Sequence, residues 1–141
     1  MAEKKDKQEI IQEKYMQMQM INQHLKQMQQ QAEAVESQLG ELMSTYQALE
    51  ELKDIKPGTQ MLVPISSGIF AKAEIKEAEN LLVNVGSDTV VGKDLASTKA
   101  LITAQLGELK EFHGKMHTEM QKLALASNAL EEELGELVKD E

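Results

Sequence analysis

Two histidines one helical turn apart, in His113-Gly-Lys-Met-His117, have the spacing in this chain that best suits metal chemistry. Imidazoles at i and i+4 of a helix share a face and can hold zinc, and zinc proteases place a glutamate base directly after the first histidine. Gly114 stands there instead, and no third ligand is evident from the sequence, so no metal is assigned and His113 reads as a structural histidine. The run Gly86-Ser-Asp-Thr-Val-Val-Gly92-Lys93-Asp94 has the glycines and lysine of a phosphate cradle, but with one residue too many between the glycines. Asp94 also replaces the hydroxyl that would bind magnesium and would repel phosphate. The segment therefore reads as a turn, a strand and the start of a helix, with Asp94 as its N-cap. The carboxylates show no spacing that separates a catalytic pair from a solvated helix face, no serine nucleophile motif occurs, and there is no cysteine. The expectation is a protein without catalysis and without cofactors.

What the chain does have is the composition of long helices. Leu, Met, Ala, Gln, Glu and Lys dominate its 141 residues, against two Phe, two Tyr and no Trp, so the usual fillers of a globular core are nearly missing. The expected shape is extended. Formal net charge is −9 and every basic residue except histidine is Lys. Nucleic-acid binders need a basic face, usually with Arg for bidentate contacts, and an acidic chain is repelled by anionic lipid. Neither nucleic acid nor membrane is expected as a partner. The N-terminal run is charged and then Gln-rich, unlike a signal peptide or a spanning helix, and cytoplasmic residence is the expectation.

The elements follow from periodicity. Steps of three and four residues from Ile11 give Lys14, Met18, Ile21, Leu25, Met28, Ala32, Val35, Leu39, Leu42, Tyr46 and Leu49, a seam broken only by Lys14. From Leu95 the same steps give Lys99, Ile102, Leu106, Leu109, His113, Met116, Met120, Leu123, Ser127, Leu130, Leu134 and Leu137. A 3.5-residue apolar period marks a helix packed lengthwise on another helix. Lys99, His113 and Ser127 share one heptad position, where polar residues can fix register and partner number. Each helix would span roughly 70 Å at ~1.5 Å per residue. The simplest closure is an antiparallel hairpin in which facing residue numbers total about 147.

Between the seams, Pro57-Gly58 stops the first helix. Gln60–Ile65 and Ile69–Ile75, joined by Ser66-Ser67-Gly68, read as one β-hairpin, and Leu81–Val85 and Thr89–Val91, joined by Gly86-Ser87-Asp88, as a second. The expected fold is mainly α with a small β insert: one domain over residues 1–141, with helices at about 3–53 and 94–138 and the hairpins at about 60–92. Small sheets with free edges seek partners, so the insert is expected to oligomerise into a β body through Leu62, Val63, Ile65, Ile69, Phe70, Leu82, Val83 and Val85.

The segment Leu62-Val-Pro-Ile-Ser-Ser-Gly-Ile-Phe-Ala-Lys-Ala-Glu-Ile75, with Leu82-Val-Asn-Val-Gly86 after it, resembles the two-hairpin region of the alpha class of archaeal prefoldin subunits. The order helix, double hairpin, helix extends the resemblance over the whole chain. It departs at Ser66-Ser67, where family members often carry Gly and Ala. The resemblance implies a hexamer of two alpha and four beta subunits with a β-barrel body. It also implies ATP-independent holding of unfolded clients and their transfer to a group II chaperonin.

For such a holdase the working surface would be apolar residues that the seam does not use: Ile10, Tyr15, Met16, Met20, Leu125 and Val138, converging at the open end of the hairpin. Met18 belongs to the seam, whereas pliable Met16 and Met20 suit varied apolar segments. Gly40 and Gly107 fall opposite one another and mark either a bending point or a close approach of the helices. The alternative function is a structural scaffold or filament, in which the β body assembles and the arms only set spacing.

Overall fold

Leu, Met, Gln and Glu hold the first helix without interruption because none of them costs much rotamer freedom in a helix and no proline intervenes. In the computed structural model, which describes residues 2–139, this helix is α1 (Ala2–Leu52). Four residues separate its end from Pro57-Gly58, and there Asp54 N and Ile55 N donate to Glu51 O and Leu52 O and tighten the last turn. The residue before a proline disfavours helical dihedrals, so the stop is set upstream of the proline itself. Gly58 has φ +90°, and its N–H donates to Ile75 O at 2.7 Å, tying the linker to the first hairpin.

That hairpin is β1 (Gln60–Ser66) with β2 (Ile69–Glu74), antiparallel from Gln60 opposite Glu74 to Ser66 opposite Ile69, with an irregularity between Pro64 and Ser66. Gly68, at φ +77°, supplies the left-handed turn residue. The second hairpin is β3 (Asn80–Asn84) with β4 (Val90–Asp94). Its turn puts two residues other than glycine, Ser87 (φ 50°) and Asp88 (φ 58°), in the left-handed region. Two such residues give the twist that a tight hairpin needs. The turn is closed by Thr89 N donating to Gly86 O at 2.9 Å and by Gly86 N donating to Asn84 Oδ1 at 3.0 Å.

β4 runs three residues beyond the expected strand and ends on Asp94, which caps α2 (Leu95–Lys139) by accepting from Ser97 N at 2.6 Å. That bond holds the Asp94 carboxyl below its ordinary pKa. The molecule is thus two long helices with two antiparallel hairpins between them.

The chain divides into two compact units, Met1–Gln38 with Leu109–Glu141, and Leu39–Glu108. Within the first, α1 and α2 run antiparallel, linked at Lys14–Glu133, Asn22–Ser127 and Glu36–His113. The second has a link at Glu50–Lys99. Partner numbers total 147 for the first of these links and 149 for the rest, in line with the expected pairing. Every seam residue from Ile11 to Leu49 and from Leu95 to Leu137 is buried or half-buried. The most enclosed are Met28, Ala32, Val35 and Met116 in the first unit and Leu49 and Ile102 in the second. Gly40 and Gly107 are exposed, and a Cβ built on either would meet nothing within 4 Å, which rules out close helix approach as their reason.

Candidate interaction surfaces

Helix geometry decides what the seam leaves over. With a and d positions turned inward, the remaining side chains of α1 and α2 ring the paired helices, and the large apolar ones among them are available for contact. In the first unit these include Ile10, Tyr15, Met16, Met20, Leu125 and Val138, all exposed, with Met20 and Leu125 about as open as any, at 68% and 70%. The observed links set their levels. Ser127 bonds Asn22, which brings Leu125 level with the residues just beyond Met20, and Glu133 bonds Lys14, beside Tyr15 and Met16. They do not form one continuous stripe. Tyr15, seven residues before Asn22, lies on the flank that carries the Asn22 link, whereas Ile10 and Met20 share the other flank, and Met16 and Leu125 face away from the seam. A shallow depression beside Met20 is lined by Ile21, Gln23, His24 and Gln27, polar neighbours that the apolar pattern alone does not single out.

The strand residues divide by face. β1 is exposed along its whole length, and Leu62, Val63, Ile65, Ile69 and Phe70 present apolar side chains on both sides of the first hairpin. In β3 exposure alternates: Leu82, opposite Gly92, is the most open large apolar side chain among the described residues, at 82%. Val83, opposite Val91, is half-buried on the other face, so of the eight residues expected to face partners it is the one the chain partly covers itself. Val85 lies in the turn and is exposed, and Met61 and Val90 add to the open apolar set. Alternation could have found Val90 only once its pairing with Asn84 was known.

The polar seam residues each have a partner across the helix pair. Lys14 Nζ donates to Glu133 Oε2, Lys99 Nζ to Glu50 Oε1 at 2.7 Å, His113 Nε2 to Glu36 Oε1 at 3.2 Å, and Ser127 Oγ to Asn22 Oδ1 at 2.8 Å. The Lys99 ammonium holds the Glu50 carboxyl below its ordinary pKa, through the hydrogen bond first and its charge second. Around His113 a cleft of about 360 Å³ is lined by His117, Glu33, Glu36 and Met120 among others. His113 is committed to Glu36 there, and among the described residues no three His, Asp or Glu side chains are placed to hold a metal ion. No helix among the described residues is long and apolar enough to cross a membrane.

The prefoldin family model, described as prefoldin subunit, matches residues 21–140. The prefoldin subunit alpha of Methanococcus vannielii is 26% identical over 132 residues, covering 84% of this chain and 88% of the relative. That of Methanobrevibacter smithii is 30% identical over 96 residues, covering 68% and 65%. Among solved structures, filamentous PFD from Methanocaldococcus jannaschii, determined by cryo-electron microscopy, superposes with a TM-score of 0.71 at 15% identity, covering 80% of this chain and 93% of that one. At that identity the likeness is one of fold.

Proposed function

Given that the chain belongs to the prefoldin family and is a chaperone subunit of the alpha kind, we propose that it holds non-native polypeptides on the exposed apolar residues near its helix ends. Prefoldins are oligomeric chaperones, not enzymes, and the reading needs no nucleotide or metal. The observation that carries it is the apolar surplus in the first unit: Ile10, Tyr15, Met16, Met20, Leu125 and Val138 lie outside a seam that is already filled. Methionines suit this task because an unbranched, polarizable side chain can repack against many apolar sequences. The spread of these residues around the helix pair favours a surface that a client wraps over a pocket that a client enters.

The exposed faces of the hairpins, led by Leu82, Ile65, Ile69 and Phe70, serve to join beta subunits, with two alpha and four beta chains closing a β-barrel body. Cytoplasmic residence and delivery of the client to a group II chaperonin complete the proposal. The test is light scattering from a denatured protein diluted into the chain with its beta partner. Replacing Ile10, Tyr15, Met16, Met20 and Leu125 with Ser is expected to weaken protection while the native mass of the complex stays the same. Unchanged protection rejects this surface.

A second reading, a scaffold that assembles through its β body without holding clients, draws on the likeness to a filamentous prefoldin. It expects the chain alone to form large assemblies that leave aggregation of the denatured protein untouched.

A further inference from the structure

We propose that Asn22–Ser127, Glu36–His113 and Glu50–Lys99 form a register key that fixes which residues of α1 and α2 stand level. The three links recur every fourteen residues on both helices, two heptads apart: Ser127, His113 and Lys99 share one heptad position of α2, and Asn22, Glu36 and Glu50 share one heptad position of α1. Two of them act in the unit that holds the helix ends and one in the other.

An apolar heptad seam cannot set register by itself. Sliding α2 by one heptad, ~10 Å along the axis, puts apolar seam residues against apolar seam residues again. The polar positions do distinguish the alternatives. Slipped one way, Lys99 would come level with Met43, His113 with Gln29 and Ser127 with Tyr15. Slipped the other way, Lys99 would run past the end of α1 at Leu52 and His113 would come level with Met43. Either slip takes both carboxylates away from Lys99 and His113, whose side chains are only 18% and 29% exposed. A half-buried cation or imidazole left without its partner costs on the order of tenfold in population for each site. Polar residues at inward coiled-coil positions are known to select register in this way.

The Asn22–Ser127 link follows Met20 and Leu125 by two residues on their respective helices, so it is also a positioning device for the proposed client surface. That consequence rests on the client reading; the key itself does not.

The absence of cysteine makes disulfide trapping clean. Leu25→Cys with Leu123→Cys reports the observed register, and Leu25→Cys with either Met116→Cys or Leu130→Cys reports a one-heptad slip. In the otherwise unaltered chain only the first pair is expected to close. In a His113→Leu, Ser127→Leu background the slipped pairs are expected to rise about tenfold, and His113→Gln with Ser127→Asn is expected to restore the single register. Exclusive closure of the native pair in the leucine background, with helical content retained by circular dichroism, overturns the key. The single His113→Leu variant gives the same readout should the double variant fail to fold. Light scattering on the same variants separates the two proposals: slipped cross-links with undiminished protection leave the key standing and reject the client surface.

Discussion

Asp94 serves two elements, as the last residue of β4 and as the acceptor that satisfies a free N–H at the start of α2. Asp94→Ala is therefore expected to lower the thermal midpoint by a few degrees, and Asp94→Asn or Asp94→Ser to recover most of it, as read by circular dichroism. Acid should find the same spot. Asp94, through Ser97, and Glu50, through Lys99, both have folded pKa values below their ordinary ones. A depressed carboxyl pKa stabilises the fold fully above the ordinary range and loses that contribution as pH falls through the folded value. The midpoint is thus expected to be flat near neutrality and to fall below about pH 4, with the fall reduced in an Asp94→Asn, Glu50→Gln double variant. Equal acid sensitivity in both proteins would rule these two groups out. The cap at Asp94 was readable from local sequence, because a capping residue acts on a neighbour three positions away. The Glu50 bond was not, since a polar seam residue announces that it needs a partner without naming a residue forty-nine positions distant.

The two helices were legible at nearly every turn, because burying a stripe along a partner imposes a 3.5-residue period that sequence records directly. The strands were less so. β4 continues through Gly92-Lys93-Asp94, a polar run whose strand character comes from pairing with Asn80, Leu81 and Leu82 and not from its own residues. The first helix likewise ends ahead of its proline, for reasons of backbone sterics that composition marks only approximately. The helix glycines give a prediction at this scale. Free space surrounds any Cβ placed at Gly40 or Gly107, and alanine is favoured over glycine inside a helix by roughly 1 kcal/mol. Gly40→Ala and Gly107→Ala are each expected to raise stability by about that amount in urea titration. A loss would mean that the glycines meet a requirement other than helix propensity.

At the scale of the whole molecule, β1, β2 and β3 carry large apolar side chains that the isolated chain leaves exposed, Leu62, Ile65, Ile69, Phe70 and Leu82 among them. Leu82→Lys together with Ile65→Lys is expected to cut the native mass in sedimentation without reducing helical content, since both side chains are exposed strand residues outside the helices. An unaltered mass would move the assembly surface elsewhere. Sequence reading singled out these residues because both hairpins are apolar beyond what two strands can cover. It included Val83 as well, since alternation within a five-residue strand does not reveal which face the chain itself shields. The residues of the proposed client surface were legible only as a surplus of apolar side chains; their distribution around the helices emerged from the register.

Among the described residues no side chain is sealed completely from solvent. A truncation therefore opens no closed void, and the cavity penalty that makes interior exchanges so damaging in globular proteins is small here. Substitutions that keep the stripe apolar should be tolerated in large numbers, and evolutionary drift can run far while the architecture persists. Relatives at 26% identity, and a shared fold at 15%, accord with such permissiveness.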